Sequence, residues 1–213
     1  MSTAISLFNH KGGVSKTTTA FNLGWMIARH GKKVLLVDGD PQCNLTGMVL
    51  GLEDLETADS ILGSKNGRPL NIREGLAPAF ESRPSLIQAV DCQRVPGNPN
   101  LWLMPGHIGL AEYEVTLGIA QELSGSLVTL RNLPGSLRYL IDKTAVNYGI
   151  DIVIVDMSPS LGAVNQNLRN CSPLPVRHHA DRMIGLLARA ARNASRAVMP
   201  CSRPVAMTLA AAA

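Results

Sequence analysis

An α/β fold, built as a doubly wound and mainly parallel sheet with flanking helices, follows from three features of this sequence. Residues 34–37 and 152–155 are continuous apolar runs, the pattern of parallel strands covered on both faces, and each is followed by an acid, Asp38 and Asp156. A glycine-containing turn separates a short apolar run at residues 4–8 from a segment in which Ala20, Leu23, Gly24 and Ile27 recur at helical spacing. Strand, turn and helix therefore follow one another at the amino end, and the same alternation recurs along the chain.

The first helix should stop at Gly31, with Arg29 and His30 in its last turn, where cations suit the helix dipole. Residues 53–100 carry Pro69, Pro78, Pro84, Pro96 and Pro99 among several glycines, which predicts loops around short elements and a helical turn at residues 57–62. Residues 101–104 read as a further strand leaving the sheet at Pro105-Gly106. Leu110, Tyr113, Leu117 and Ala120 predict one helix, and Leu137, Leu140, Ile141, Thr144 and Tyr148 a second, before the strand at residues 152–156. Crossovers between parallel strands should be right-handed. His107, Glu112 and Glu114 have metal-ligand chemistry, but acids favour the first turn of a helix, and solvated helix-start residues are the reading adopted for them.

With 213 residues, 46% hydrophobic and 17% charged, the chain is long enough for one sizeable core and needs no second folded domain. Cys43, Cys92, Cys171 and Cys201 show neither metal spacing nor a redox pair, which predicts reduced, incidental thiols. The amino end lacks a basic region followed by an apolar stretch, and no apolar run approaches a membrane span. A cytoplasmic protein is expected.

The chemistry is concentrated in three blocks. Asn9, His10, Lys11, Gly12, Gly13, Val14, Ser15, Lys16, Thr17 and Thr18 bring backbone N–H groups, cations and hydroxyls to the start of a helix, the equipment for a triphosphate and its magnesium. Asp38-Gly39-Asp40-Pro41-Gln42 sets two carboxylates two residues apart beyond a strand end, where both can reach the crevice at the carboxyl edge of a parallel sheet. Asp156 ends the third block. Singly, these blocks read equally as a tight turn, a helix start and a strand cap. Together, with lysines at both ends of the turn, they read as a nucleotide site.

Lys-Gly-Gly-x-x-Lys-Thr-Thr, spanning Lys11 to Thr18, resembles the deviant Walker A motif of the ParA/MinD ATPases, and Asp38 to Gln42 resembles that family's Asp-x-Asp-Pro-Gln segment, which favours the partition-type ParA branch. The resemblance implies a P-loop NTPase-like sheet. It also implies a nucleotide cradle of Gly12, Gly13, Val14, Ser15, Lys16, Thr17 and Thr18, with ATP and Mg2+ as ligands. By resemblance Lys11 is the signature lysine that reaches the partner's nucleotide in an ATP-dependent homodimer, and Lys16 contacts the β- and γ-phosphates. By the same resemblance Thr17 ligates magnesium, Asp40 positions or activates the hydrolytic water, Asp38 helps hold the magnesium shell, and Asp156 is a Walker B acid. Ser15 departs from the pattern by adding a Cβ where glycine is usual. Partition of plasmids or chromosomes, or positioning of other cargo, with a ParB-like activator and nonspecific DNA as partners, is what the family implies. The alternatives are a catalytically impaired regulatory or interaction protein and, behind it, a MinD-like membrane-associated ATPase.

The resemblance covers residues 1–167, expected as the nucleotide-binding domain. Up to Asn167 the net charge is −2, whereas residues 168–213 hold seven Arg, no Lys and one acid, which accounts for the overall +4. The expectation for 168–213 is an atypical Arg/Ala/Pro-rich tail, disordered or one helix, with the sheet cut short on its C-terminal side and the edge of the first strand exposed. Two origins stay open for the tail. A reading-frame change near codon 168 explains the break in composition. A genuine adapter is the other, with Met183, Leu187, Ala190, Ala194 and Val198 on one helical face and Arg182, Arg189, Arg192 and Arg196 near the opposite one, suited to anionic partners but too alanine-rich for strong membrane anchoring.

Overall fold

The computed structural model describes residues 2–8, 15–51, 64–65, 67–81, 83–123, 133–160, 162–170 and 174–177. All of them lie in one compact unit, Met1–His178. Six strands form the main sheet: β1 (Thr3–Phe8), β2 (Val34–Asp38), β5 (Gln93–Arg94), β6 (Leu101–Met104), β7 (Ile152–Asp156) and β8 (Leu174–Arg177). A separate hairpin pairs β3 (Ser64–Lys65) with β4 (Arg68–Pro69). The described helices are α1 (Lys16–Arg29), α2 (Asn44–Leu50), α3 (Ile72–Phe80), α4 (Leu110–Leu123), α5 (Leu133–Tyr148) and α6 (Ala163–Asn170).

The sheet order is β5-β6-β2-β7-β1-β8, parallel throughout except for the short antiparallel β5 at one edge. The two apolar runs read from sequence are thus adjacent central strands, and β2 and β6 are buried along their whole length. Side-chain alternation divides the core between two faces. Leu35, Val37, Trp102, Met104, Val153 and Val155 join the large apolar cluster with side chains of α3, α4, α5 and α6. Leu36 and Leu101 point the other way, to α1, where a Cβ on Gly24 would sit 2.7 Å from Leu36 Cδ2 and 3.4 Å from Leu101 Cδ1. Gly24 therefore lets α1 lie close on the sheet, with Lys16, the first residue of α1, at the sheet's carboxyl edge.

Three local expectations change. The proline-rich segment is not all loop, because α3 forms within it and carries Pro78 near its end. Asn71 caps α3 by accepting from the Glu74 amide at 2.8 Å, and a proline late in a helix is tolerated when its tight start and buried Ile72, Leu76 and Ala77 are already in place. The turn expected at residues 57–62 lies outside the described residues. Beyond residue 167, the chain continues α6 to Asn170 and supplies β8, which pairs in parallel with β1 from Ile5↔Leu174 to Phe8↔Arg177. Hence β1 is flanked on both sides, and β8 takes the edge that was assigned to it. The remainder of the expected tail lies outside the described residues.

Candidate functional site at the carboxyl edge of the sheet

Strand register assembles the site. Asp38 and Asp156 end neighbouring strands as direct register partners, and Asp156 also faces Leu7, one residue before the end of β1. The turn that carries the lysines therefore leaves the sheet beside both acids, as the crevice rule for parallel sheets requires. Lys11, Gly12, Gly13 and Val14 fall outside the described residues. Ser15, Lys16, Thr17 and Thr18 are described. Lys16 is largely buried in the first turn of α1, near enough to Asp156 to favour that carboxylate's charged form.

Ser15 takes up a left-handed conformation, φ 58° and ψ 31°, directly before α1, and its side chain makes no capping hydrogen bond. Left-handed backbone is where a Cβ is crowded, which is the physical reason glycine is usual here. The Ser15 carbonyl nonetheless accepts the Thr19 amide at 2.9 Å and so begins the helix.

Asp38 and Asp156 have the same chemistry and opposite surroundings. Asp38 is fully buried and satisfied: Oδ2 accepts from the Thr46 amide at 2.8 Å and from the Thr46 hydroxyl at 2.7 Å, and Oδ1 accepts from the Asp40 amide at 3.3 Å. Burial pushes its pKa up to about 7 even though the bonds from Thr46 favour the anion. Asp156 is 1% exposed, yet neither carboxylate oxygen receives a well-formed hydrogen bond from the described residues. Burial raises its pKa to about 6 and nearby Asp40 adds to the rise, while Thr17, Lys16 and the Met157 amide oppose it. A buried carboxylate without a donor is costly unless a cation or its water completes it.

Both acids meet Asp40, whose amide donates to Asp38 and whose charge raises the pKa of Asp156. Asp40 Oδ1 accepts from the Gln42 amide at 2.9 Å, its carbonyl accepts from the Cys43 amide at 2.9 Å, and Cys43, at φ 53°, opens α2. Gly39 separates the two acids because there is no room for a side chain. Its amide donates to the Asp156 carbonyl at 2.9 Å, and a Cβ would fall 2.5 Å from Leu168 Cδ1 and 3.0 Å from that same carbonyl oxygen.

Residues that the motif reading missed complete the surroundings. Thr46, eight positions beyond Asp38, and Gly106, whose amide donates to Thr46 Oγ1 at 2.8 Å, carry no recognisable spacing signal. Asn165 on α6 gathers the turn after β7, its amide donating to the carbonyls of Ser158 at 2.9 Å and Ser160 at 2.7 Å. Glu114 is not a solvated helix-start residue. It reaches from α4 to α6 and accepts the Val164 amide at 3.1 Å, while Glu112 pairs with Arg73 at 3.3 Å and His107 Nδ1 accepts the Gly109 amide at 2.9 Å.

Among the described residues no three His, Cys, Asp or Glu side chains converge as a metal cage. Magnesium does not need one, since it is usually held by one or two protein oxygens together with phosphates and water. The unpartnered Asp156 carboxylate beside Thr17 fits such a role.

The AAA-domain family AAA_31 matches residues 2–172. The chromosome-partitioning ATPase Soj of Thermus thermophilus is 31% identical over 193 residues, covering 86% of this chain and 59% of that protein. The sporulation initiation inhibitor protein Soj of Bacillus subtilis is 30% identical over 174 residues, covering 81% of this chain and 56% of that protein. This chain thus spans between half and three fifths of the length of such curated relatives. Among solved structures, protein DIP2308 from Corynebacterium diphtheriae superimposes with a TM-score of 0.66 at 27% identity, covering 80% of this chain and 56% of that one. Cobyrinic acid a,c-diamide synthase from Mycobacterium smegmatis, with bound ADP and magnesium, does so with a TM-score of 0.58 at 25% identity, covering 92% of this chain and 69% of that one. The mainly parallel sheet, the convergence of its acidic strand ends on α1, and a family match across four fifths of the sequence agree, and this chain belongs to the AAA_31 family of AAA domains, among the ParA/MinD-like P-loop ATPases.

Proposed function

We propose that this chain binds ATP with magnesium and hydrolyses it as a ParA-like ATPase, of the kind that partitions plasmids or chromosomes or positions other cargo. The observation that carries the reading is the unsatisfied, buried Asp156 carboxylate set beside Lys16 and Thr17 at the start of α1. Lys16 supplies a cation for the β- and γ-phosphates, and the α1 amides behind it favour anionic ligands. Thr17, by its hydroxyl, and Asp156, by its carboxylate, would hold the magnesium. Magnesium, when bound with the nucleotide, neutralises charge on the phosphate oxygens. Asp40, anchored by Gln42 and Cys43, orients the attacking water, so the chain's contribution is positioning and electrostatic stabilisation.

The dimer is the finer part of the proposal. Lys11 would reach the nucleotide of a second copy, and ATP would then drive dimerisation, with a ParB-like activator and nonspecific DNA as the partners. The relatives named as chromosome-partitioning and plasmid-partitioning proteins support this branch. Among the described residues no helix is long and apolar enough to cross a membrane. A second reading, a nucleotide-binding regulator without turnover, is favoured by one observation, the left-handed Ser15 in the place of glycine.

Magnesium-dependent ATP binding and hydrolysis, measured beside Lys16→Ala, Asp40→Ala and Lys11→Ala, tests the proposal. Turnover lost in Lys16→Ala, binding without turnover in Asp40→Ala, and ATP-dependent dimerisation lost in Lys11→Ala are expected. Binding in the parent chain without turnover establishes the regulator, and no binding at all sinks both readings.

A further inference from the structure

Thr46 is the side chain on which the ends of β2 and β6 meet, yet none of the three blocks read from the sequence includes it. Its hydroxyl donates to Asp38 Oδ2 at 2.7 Å and accepts from the Gly106 amide at 2.8 Å, and its own amide donates to the same carboxylate oxygen at 2.8 Å. All of these groups are buried, with Thr46 1% exposed and Asp38 fully enclosed. The other oxygen of Asp38 holds the Asp40 amide. An unbroken chain of hydrogen bonds therefore runs from Gly106, through Thr46 and Asp38, to the backbone of Asp40.

Space around this chain is as restricted as its bonding. A Cβ on Gly106 would lie 3.0 Å from Asp38 Cγ, 3.1 Å from its Oδ2 and 3.1 Å from Cys43 Sγ. The Gly106 backbone thus closes directly over the carboxylate, and the Thr46 hydroxyl is the group that satisfies both. Removing the hydroxyl leaves a buried N–H without an acceptor and takes one of its three donors from a buried carboxylate.

We infer that Thr46 is a positioning residue: acting through Asp38, it fixes the backbone that presents Asp40, and Asp38 serves as the link in this clamp and not as a ligand of magnesium. The effect on turnover rests on the ATPase reading above; the clamp itself does not. Two properties follow. Loss of the hydroxyl loosens Asp40 without touching Lys16, Thr17 or Asp156, so it lowers kcat and spares nucleotide binding. Serine keeps the hydroxyl and therefore keeps the clamp.

The test compares the parent chain with Thr46→Val and Thr46→Ser by two measurements. Amide hydrogen exchange without nucleotide should show faster exchange at Asp40 and Gly106 in Thr46→Val, little change at Gly39, whose amide is held by Asp156, and restoration by Thr46→Ser. Mg-ATP titration and steady-state turnover should show kcat reduced tenfold or more in Thr46→Val, on the order of one lost hydrogen bond to a charged group, with Kd within about twofold. Unchanged exchange at Asp40 and Gly106 overturns the clamp. Equal losses in kcat and affinity overturn the positioning role and make Thr46 a general support of the fold. Absence of turnover in the parent chain, with exchange as expected, sinks the ATPase reading and leaves the clamp supported.

Discussion

Replacing Ser15 with glycine isolates the cost of the one feature in which the turn departs from its pattern. Ser15 is exposed, makes no capping hydrogen bond and sits at φ 58°, so removing its side chain gives up neither packing nor bonding. A left-handed conformation costs an L-residue about 1–2 kcal/mol. Glycine returns about 0.4–1 kcal/mol of this as extra freedom in the unfolded chain. The net expectation for Ser15→Gly is a gain of about 0.5–1 kcal/mol, or a melting temperature higher by ~1–4 °C for a chain of this size. Relief of the crowded Cβ should also let the backbone approach phosphate, with Mg-ATP bound roughly threefold to tenfold tighter, the equivalent of about 1 kcal/mol. Cys43 supplies an internal control, since it has nearly the same φ, 53°, but a buried side chain packed beside Gly106. Cys43→Gly relieves the same strain and loses buried contacts, so it should be neutral or destabilising. Differential scanning calorimetry and nucleotide titration read both variants. A melting temperature for Ser15→Gly at or below that of the parent refutes the strain argument, and an equal gain in Cys43→Gly shows that the buried contacts of Cys43 contribute nothing beside the φ angle.

Three further outcomes follow from the geometry. Gly39→Ala drives a methyl group into Leu168 Cδ1 and the Asp156 carbonyl, and because backbone cannot move aside cheaply, the urea midpoint should fall by the equivalent of about 1–3 kcal/mol. Asp38 and Asp156 hold protons in the fold at pH values where the unfolded chain has lost them, since their folded pKa values, about 7 and about 6, lie above the ordinary 3.8; stability should therefore decline from about pH 4 to pH 7, and Asp38→Asn should flatten that decline in urea melts taken across the window. Glu114→Ala removes the carboxylate that accepts from the Val164 amide at the start of α6 and should lower stability by about 1 kcal/mol in the same assay.

The parts of this fold that were legible in the sequence are those where one physical requirement dominates. Strands buried on both faces need unbroken apolar runs, and residues 34–37 and 152–155 show them. Helices α1, α4 and α5 show their buried positions at helical spacing. Helix α3 was hidden because Pro78 reads locally as a breaker, whereas the helix is secured by the Asn71 cap and by burial of Ile72 and Leu76 against partners far along the chain. Strand β8 was hidden for a related reason. Its Leu-Pro-Val-Arg sequence has little strand character, and it is defined by its parallel pairing with β1. Motif spacing singled out Lys16, Thr17, Asp38, Asp40 and Asp156, which the fold gathers at one edge of the sheet, but not what separates the two strand-end acids. That distinction depends on Thr46 and Gly106, which reach Asp38 only once β2, β6 and α2 are in place.

That separation has a consequence for ligand binding that a titration can read. Asp38 and Asp156 are register partners on adjacent strands, so two buried negative charges there would repel; each is also held toward its protonated form by burial. Asp38 has its donors already. Asp156 has no well-formed hydrogen bond from the described residues, only the weaker influence of Thr17, Lys16 and the Met157 amide, so a cation is the group best able to convert it to the anion. With a pKa of about 6, Asp156 carries about half a proton at pH 6, and a bound magnesium nucleotide should expel it; at pH 8 there is almost none to expel. Calorimetric titration with preformed Mg-ADP, in two buffers of different ionisation enthalpy, measures that release directly. The enthalpy should depend on buffer at pH 6 and become independent of it at pH 8, and Asp38→Asn should preserve the difference. The same enthalpy in both buffers at pH 6 would show that Asp156 does not meet the cation, and loss of the difference in Asp38→Asn would transfer that role to Asp38 and overturn the division of labour between the two acids.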